Sequence, residues 1–244
     1  MAMRILIVND DGIEAPGIRH LANWAKKLGE VTVIAPKIEQ SGKSHSIDII
    51  HPFEIKRVDF LPGTTAYRVD SSPADCSRYG LLGLKQEFDL VLSGINNGYN
   101  MGKDIVYSGT VGAIFEAQGL GAKRAMAVST CPSNIDHAVE HMDRVYDFIV
   151  KNGLFDINPI YNVNIPPEGG PIYITRQGGA YYSDDFVHQG GDLYKQCGKM
   201  VFNDQNDLSL DTDTVLRGNI SITPLTIERT NVAAFRALSE KLNP

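Results

Sequence analysis

The sequence predicts an α/β protein built on a doubly wound, mostly parallel sheet. Two observations predict this fold class: short apolar, β-branched strands alternate with helical segments, and the strands end on polar or glycine-containing loops. Strands that alternate with helices of this length require right-handed crossovers and hence parallel pairing. A third observation is a change of pattern after Pro166, where paired glycines separate short strand-like pieces. We therefore expect a parallel core followed by a β-hairpin-rich C-terminal extension.

The core elements follow one another along the first two-thirds of the chain. The predicted strands cover residues 4–8, 31–35, 88–92, 125–129 and 160–165. The predicted helices cover residues 16–28, 73–84, 109–118 and 135–151. Pro16 and Pro73 suit first-turn positions, and Gly29 closes the first helix. Residues 47–69 are expected to be β-rich connecting structure.

The remaining chain is expected to differ in character from this core. Glycine pairs and one Gly-Asn pair punctuate it, at residues 169–170, 178–179, 190–191 and 218–219. Residues 170–225 are therefore predicted to form an antiparallel extension, or an arm that packs on another subunit. A final amphipathic helix is predicted over residues 232–241.

The bulk composition restricts the class of partner. The chain carries 23 basic and 29 acidic residues, a net charge of −6, and contains no basic run, which argues against binding to a nucleic acid polymer. Cys76, Cys131 and Cys197 lie far apart and outside any C-x-x-C spacing, so we expect reduced thiols. Residues 1–8 are too short for a signal peptide, and no apolar run reaches the ~18 residues of a membrane span. A cytoplasmic protein without a membrane partner is expected.

Two adjacent carboxylates stand directly after the first predicted strand. Asp10 and Asp11 lie at its C-terminal end, which is where open α/β sheets bind their ligands. Neighbouring carboxylates repel each other, and no Lys or Arg follows before Arg19, so a hard metal ion is the natural compensating charge. The alternative is an ordinary turn, because Asn, Asp and Gly are favoured turn residues.

Two further polar loops follow strands of the same sheet. Residues 39–46 follow the second strand, and residues 93–100 follow the strand at 88–92. The carboxyl ends of parallel strands meet at one edge, so the side chains of all three loops can converge on one crevice. They offer carboxylate, hydroxyl and amide oxygens without cysteine, a donor set that selects Mg²⁺, Mn²⁺ or Ca²⁺ over zinc. This convergence favours a metal site over three unrelated turns.

The segment Tyr107–Val111 stands at the start of the predicted helix 109–118. Backbone N–H groups at a helix N-terminus, together with the hydroxyls of Ser108 and Thr110, form an anion site. Simple N-capping by Ser108 is the alternative, and the two roles are compatible.

Three other motifs carry less weight. Gly42-Lys43-Ser44 imitates the end of a P-loop, but Lys37 occupies the position of the first glycine and strand-like residues follow. The H-x-x-E-H pattern at residues 137–141 lacks a third ligand and favours a solvated helix face. The acidic run at residues 204–213 lacks the glycine of an EF-hand loop and is expected to be an exposed hairpin. No G-x-G-x-x-G occurs, which weakens a dinucleotide-dehydrogenase interpretation.

These polar segments together resemble the SurE family of metal-dependent nucleotidases. The resembling motifs, which keep their order and spacing over nearly the whole chain, are residues 9–12, 40–46, 73–76, 93–100, 107–111, 162–166 and 221–225. The resemblance implies a Rossmann-like core, a β-hairpin extension and a C-terminal element exchanged between subunits. Residues 1–168 are then the metal- and nucleotide-binding core. Residues 169–244 are the hairpin extension and C-terminal helix, which mediate assembly into a homodimer or homotetramer.

The resemblance also assigns site residues by position. The metal ligands are Asp10, Asp11, Ser41 and Asn96, which hold one Mg²⁺ or Mn²⁺ per subunit. The substrate-binding residues that line the phosphate pocket are Asn100, Ser108, Gly109 and Thr110. The departures from the family pattern lie elsewhere, at Ser71-Ser72, Gly218-Asn219 and Glu228-Arg229, and concern subunit contacts and base selectivity.

The expected reaction is hydrolysis of 5′- and 3′-nucleoside monophosphates to nucleoside and phosphate, with short polyphosphate as a further substrate. Asp10 and Asp11 are the expected catalytic residues, and one of them orients or deprotonates the attacking water. In a variant of this mechanism one aspartate attacks directly and forms an aspartyl-phosphate. The competing interpretation is a regulatory module that binds nucleotide in the same crevice without turnover.

Overall fold

The structure is a computed structural model that describes residues 2–242. Its strands are β1 (Met3–Val8), β2 (Gly29–Pro36), β3 (Ile55–Arg57), β4 (Thr65–Val69), β5 (Leu90–Asn97), β6 (Ala125–Thr130), β7 (Ile160–Ile165), β8 (Ile172–Ile174), β9 (Tyr182–Gly190), β10 (Leu193–Met200) and β11 (Ile220–Pro224). Its α-helices are α1 (Pro16–Ala25), α2 (Pro73–Arg78), α3 (Gly109–Gly119), α4 (Ile135–Lys151), α5 (Leu154–Ile157), α6 (Asp211–Leu216) and α7 (Val232–Leu242).

A nine-stranded sheet in the order β3-β4-β2-β1-β5-β6-β7-β11-β8 forms the core. The strands from β4 to β7 pair in parallel, and β1 lies between β2 and β5. Because the strand order reverses direction around β1, the loops after β1 and β5 diverge and leave a crevice at their carboxyl ends. The predicted α/β fold with a doubly wound, mostly parallel sheet is confirmed.

Helices cover both faces of this sheet, as the apolar strands require. Helices α1 and α4 pack on one face, where Leu21 and Val145 join the cluster around Ile7. Helices α2 and α3 pack on the other face, where Val111 belongs to the cluster around Leu6. The strands are buried on both sides, which explains why they are continuously apolar rather than alternating.

Two segments beyond Pro166 return to the main sheet. Strand β11 pairs antiparallel with β7, and β8 pairs in parallel with β11. The prediction of one antiparallel extension over residues 170–225 is therefore wrong for these strands. The physical reason is that Ile220 and Ile222 are fully buried and cover the apolar edge of β7, which glycine spacing cannot reveal.

The remaining extension is a β-hairpin, as predicted. Strands β9 and β10 form a separate antiparallel sheet around Gly190 and Gly191, whose φ values of +104° and +57° suit a tight turn. No residue of α7 is buried. Within residues 2–242, no helix combines the length and the apolar character needed to cross a membrane.

The acidic run at residues 204–213 is not an exposed hairpin, so that prediction is wrong. Asp211 and Asp213 are buried at the start of α6. Asp213 Oδ2 accepts hydrogen bonds from the backbone N–H groups of Gln205 and Asp207 at 3.0 Å each. These carboxylates organise the chain locally, a role that a count of acidic residues does not reveal.

Several element boundaries also differ from prediction. Strand β5 begins two residues later and extends through Asn97, because Asn96 and Asn97 still pair with β6. Helix α2 ends at Arg78 and continues as a π-helical turn over Tyr79–Gly83. Of the connecting residues 47–69, only β3 and β4 are strands.

Candidate active site

A cleft of about 550 Å³ opens at the carboxyl edge of the sheet, where β1, β2 and β5 end. Six of the eight predicted site residues line it: Asp10, Asp11, Ser41, Asn96, Asn100 and Ser108. Gly109 and Thr110 lie behind this surface rather than on it. Three loops that are distant in sequence therefore meet in one crevice.

Asp10 is held firmly at the bottom of the cleft. Its side chain is buried, and the Thr110 hydroxyl donates a hydrogen bond to its Oδ1. Burial raises the pKa of Asp10 to about 6, and the hydrogen bonds from Thr110 oppose that rise while the charge of Asp11 adds to it. The turn below is fixed by Asn9, whose Oδ1 accepts from Gly12 N at 3.2 Å and whose Nδ2 donates to Gly12 O at 2.9 Å.

Asp11 is less buried and faces a second carboxylate. The backbone N–H of Asn97 donates to Asp11 Oδ2 at 3.2 Å, which ties the end of β1 to the end of β5. Burial raises the pKa of Asp11, and the neighbouring charge of Glu39 raises it further. The Ser41 hydroxyl donates to Glu39 Oε1 at 2.6 Å. Three carboxylates, those of Asp10, Asp11 and Glu39, thus lie close together in one corner of the cleft.

The donor set fits a hard divalent cation. The residues that line the cleft include five acidic side chains, Asp10, Asp11, Glu39, Asp104 and Asp184, and no Lys, Arg or His. Asn96 Nδ2 donates to Gly98 O at 2.8 Å, so the end of this amide left for a cation is its carbonyl oxygen. Carboxylate, hydroxyl and amide oxygens suit Mg²⁺ or Mn²⁺. A bound cation would offset the negative charge that these side chains present to an anionic ligand.

The N-terminus of α3 faces the same cleft. Ser108 caps the helix, since its Oγ accepts from Val111 N at 3.1 Å. A Cβ on Gly109 would approach Asp10 Cβ at 2.9 Å and Pro73 Cγ at 3.0 Å, so only glycine fits there. Thr110 is fully buried and its hydroxyl is committed to Asp10. Ser108 is therefore the residue of this turn that lines the cleft, while Gly109 and Thr110 pack against Asp10.

The loop that carries Ser41 is anchored to α3 by a hydrogen-bonded triad of side chains. Glu116 accepts from His45 Nε2 at 2.6 Å and from Arg78 Nη1 at 2.6 Å. The hydrogen bond from His45, followed by that from Arg78, holds the pKa of Glu116 below its usual value although burial opposes the shift. A Cβ on Gly112 would meet Ser44 O at 2.4 Å, so the loop lies directly on the helix. Ser41 is thereby held beside the N-terminal turn of α3.

The outer wall of the cleft is formed by residues that the sequence motifs did not assign to the site. They are Glu39, Asn97, Tyr99, Asp104, Tyr107, Tyr182, Asp184 and Gln196. Glu39 stands in a polar loop already singled out, so its carboxylate was a usable signal. Tyr182, Asp184 and Gln196 come from the β9–β10 hairpin, and no local pattern connects them to Asp10.

Asp104 links the hairpin to the cleft. Its Oδ2 accepts from the backbone N–H groups of Tyr181 and Tyr182 at 2.7 and 2.8 Å. Asp104 belongs to a 3-10 turn over Gly102–Tyr107, which leads directly into Ser108. The root of the hairpin and the start of α3 are therefore held by one short segment.

The patterns given less weight do not form sites within residues 2–242. No group of three or more His, Cys, Asp and Glu side chains arranged for a metal occurs in that range. His137 Nδ1 lies 3.6 Å from a carboxylate oxygen of the exposed Glu140. The residues after Gly42-Lys43-Ser44 form irregular chain rather than the helix of a P-loop.

The comparisons with known proteins agree with this architecture. The family model of survival protein SurE matches residues 5–184. A 5′-nucleotidase SurE of Legionella pneumophila (strain Philadelphia 1) is 34% identical, and the alignment covers 99% of this chain and 98% of the relative. A 5′-nucleotidase SurE of Acinetobacter baumannii (strain AYE) is 37% identical over 98% of this chain and 100% of the relative.

A solved structure resembles the fold over its whole length. The crystal structure of SurE protein from Aquifex aeolicus superposes with a TM-score of 0.80 at 30% sequence identity, and it covers 97% of this chain and 98% of its own. The resemblance noted from the polar motifs is confirmed by sequence and by fold. The chain belongs to the survival protein SurE family.

Proposed function

We propose that this protein is a metal-dependent nucleotidase, which hydrolyses nucleoside monophosphates to nucleoside and phosphate. The observation that carries the proposal is the cleft itself, where Asp10 and Asp11 lie against the N-terminus of α3 in a wall without basic side chains. Relatives that match nearly the full chain are named 5′-nucleotidase SurE, which supports the same reaction.

The cation would be held by Asp10, Asp11, Ser41 and Asn96. When bound, a divalent ion such as Mg²⁺ or Mn²⁺ supplies positive charge for the phosphate oxygens and lowers the pKa of a water molecule. Burial, with a smaller contribution from neighbouring carboxylates, raises the pKa of Asp10 and of Asp11, and a bound cation would stabilise the ionised form of both.

The chain's own residues would bind and orient the phosphate. Ser108 can donate its hydroxyl proton to a phosphate oxygen while its Oγ still accepts from Val111 N. The N-terminal dipole of α3 favours the same anion. Asp10 or Asp11 accepts the proton of the attacking water. The bond between the water oxygen and phosphorus forms as the phosphate ester bond breaks. The nucleoside oxygen, which leaves, takes up a proton.

The finer substrate range is also a proposal. We expect 5′- and 3′-nucleoside monophosphates as substrates and short polyphosphate as a further one, by resemblance to the family. The open outer wall, with Tyr107 and Tyr182 largely exposed, is consistent with a nucleoside that extends away from the sheet. A homodimer or homotetramer and a cytoplasmic location stay predictions from the sequence.

Phosphate release from a nucleotide panel tests the proposal. Purified protein is stripped with EDTA and assayed on AMP, GMP and their 3′ isomers, with Mn²⁺, with Mg²⁺ and without metal. We expect release only with metal. Metal-dependent binding without release from any nucleotide would instead favour the regulatory module. Rapid-quench trapping of labelled protein separates direct attack by water from an aspartyl-phosphate.

A further inference from the structure

Two asparagines of β7 hold the backbone of Asn100. Asn164 Oδ1 accepts from Asn100 N at 3.0 Å, and Asn164 Nδ2 donates to the Asn100 carbonyl at 2.8 Å. Asn162 Nδ2 donates to the same carbonyl at 2.7 Å. Since a carbonyl only accepts and an N–H only donates, these contacts determine which end of each amide faces Asn100. The peptide groups on both sides of Asn100 are therefore clamped.

The clamp is part of a polar layer inside an otherwise apolar sheet. Two neighbouring rows of cross-strand partners run across β5, β6, β7 and β11. In strand order, the first row is Asn96, Ser129, Asn164 and Ser221, and the second is Ser93, Ala127, Asn162 and Thr223. Asn162 and Asn164 point to the same face of β7 because they are two residues apart. Both are completely buried. The row that contains Asn164 thus also contains the predicted metal ligand Asn96, and both clamp residues lie on a buried strand of the main sheet.

Within residues 2–242, the buried side chain of Asn162 leaves its amide oxygen without a hydrogen bond, which does not favour stability. Among the described residues, its Oδ1 is a buried acceptor without a partner, and Ser93 Oγ is in the same situation. A buried unpaired acceptor is unfavourable, and an apolar side chain would remove it. The interaction that the asparagine does make is the bond from its Nδ2 to Asn100 O. The hydrogen bonding of the buried Asn162 side chain is therefore directed at the backbone of Asn100.

The side chain of Asn100 is fixed as well. It lines the cleft, and its Nδ2 donates to Ser129 Oγ at 2.9 Å. Ser129 is the neighbour of Asn164 in the polar layer. One amide N–H is used in this way, which leaves the second N–H of Asn100 for a ligand. Backbone and side chain are both held by buried groups, the arrangement needed for a preorganised binding residue.

We propose that Asn162 and Asn164 are positioning residues that hold Asn100 in place for phosphate binding. The inference rests on the proposed function and on the assignment of Asn100 to the phosphate pocket, which the resemblance to the family implies and its place in the cleft supports. Neither asparagine lines the cleft, so both act through Asn100.

The test replaces each asparagine by an apolar residue of similar size and measures phosphate binding directly. Asn162→Leu and Asn164→Leu are compared with Ser221→Ala, a buried substitution in the same layer that makes no contact with Asn100. Inorganic phosphate is titrated calorimetrically in the presence of Mn²⁺, and kcat and KM are measured for AMP. We expect the phosphate Kd and the AMP KM to rise by about tenfold in the leucine variants, with a smaller change in kcat. The Ser221→Ala protein should keep both values within about twofold.

A double-mutant cycle distinguishes positioning from a general loss of packing. If Asn164 acts through the side chain of Asn100, Asn164→Leu should not weaken phosphate binding further in an Asn100→Ala background. Additive losses, or leucine variants that lose thermal stability but bind phosphate normally, would overturn the proposal. If a leucine variant does not fold, Asn164→Asp keeps the acceptor for Asn100 N and removes the donor, and it should weaken phosphate binding in the same way.

The calorimetric measurement also separates this inference from the proposed function. A wild-type protein that binds phosphate but hydrolyses no nucleotide refutes the nucleotidase proposal while the clamp is still tested by binding. A wild-type nucleotidase whose variants bind phosphate normally refutes the clamp alone.

Discussion

The sheet edge around Asp10 and the β9–β10 hairpin contribute opposite properties to one cleft. Asp10, Gly109 and Thr110 are buried and closely packed. A methyl group added at Gly109 would collide with the side chain of Asp10. In contrast, Phe186 and Tyr194 of the hairpin are largely exposed. The predicted catalytic residues therefore lie on a rigid scaffold, while the hairpin, which has little packing of its own, adds Tyr182, Asp184 and Gln196 to the outer wall. Substitutions at the two places should therefore differ in kind and in size.

The largest effect should come from the buried carboxylate. We expect Asp10→Asn to reduce metal-dependent phosphate release by on the order of 10³-fold, because it removes a charge that binds the cation and aligns the reaction. The near-UV circular dichroism should stay native, since Asn can still accept from Thr110. Asp147→Asn on the exposed face of α4 is the matched control and should be fully active. Full turnover by Asp10→Asn would place the chemistry elsewhere.

The next effect tests how tightly the scaffold is packed. Gly109→Ala should reduce kcat by on the order of 10²-fold, because its Cβ would displace Asp10. Gly119→Ala in the same helix is the control, since its Cβ would meet nothing closer than Ile227 Cδ1 at 3.8 Å. Steady-state kinetics with AMP check the pair. Equal activities would mean that the position of Asp10 tolerates movement, and the contrast with the hairpin would weaken.

A third prediction concerns the anchor of the Ser41 loop. Glu116→Gln should lower the free energy of unfolding by about 1 kcal/mol at neutral pH, because it loses the charge paired with His45 and Arg78. The pKa of Glu116 is lower in the folded protein than its usual value of 4.5. Its stabilisation is therefore complete above that value and is lost as the pH falls below it.

Denaturant unfolding of metal-free protein as a function of pH checks this sign. The variant should lose less stability than the wild type between neutral pH and the region below 4.5. Glu140→Gln, which removes an exposed carboxylate on α4, should follow the wild-type curve. Parallel curves for wild type and Glu116→Gln would contradict the assigned role of the triad.

The smallest effect should come from the hairpin. Tyr182→Ala should raise KM for AMP about fivefold through loss of a stacking surface, while a small phosphate ester without a base keeps its kinetic constants. Phe186→Ala on the same strand is the control, because Phe186 does not line the cleft. Equal losses with nucleotide and small ester would show that the hairpin supports the reacting groups, and the division between scaffold and arm would be wrong.

Six of the eight predicted site residues line one cleft, and the signals that point to them in the sequence are local. Asp10 and Asp11 follow the end of an apolar strand, and the carboxyl ends of parallel strands all lie at the same edge of the sheet. Ser108 could be assigned to a helix N-terminus from its neighbours alone. Asn96 was expected in a loop but lies in β5, because pairing with Ser129 of β6 extends the strand and no local pattern reveals that pairing.

The parallel core, its polar edge and the hairpin with its glycine turn follow from local sequence, because strand and helix periods, caps and turns are set by neighbouring residues. Three other features follow from long-range packing: β8 and β11 complete the main sheet, Thr110 faces Asp10 rather than the cleft, and Asn162 and Asn164 clamp Asn100. These features depend on residues as many as 100 positions apart. Burial of apolar edges and pairing of buried polar groups choose such partners in space, and neither leaves a periodic trace in the chain.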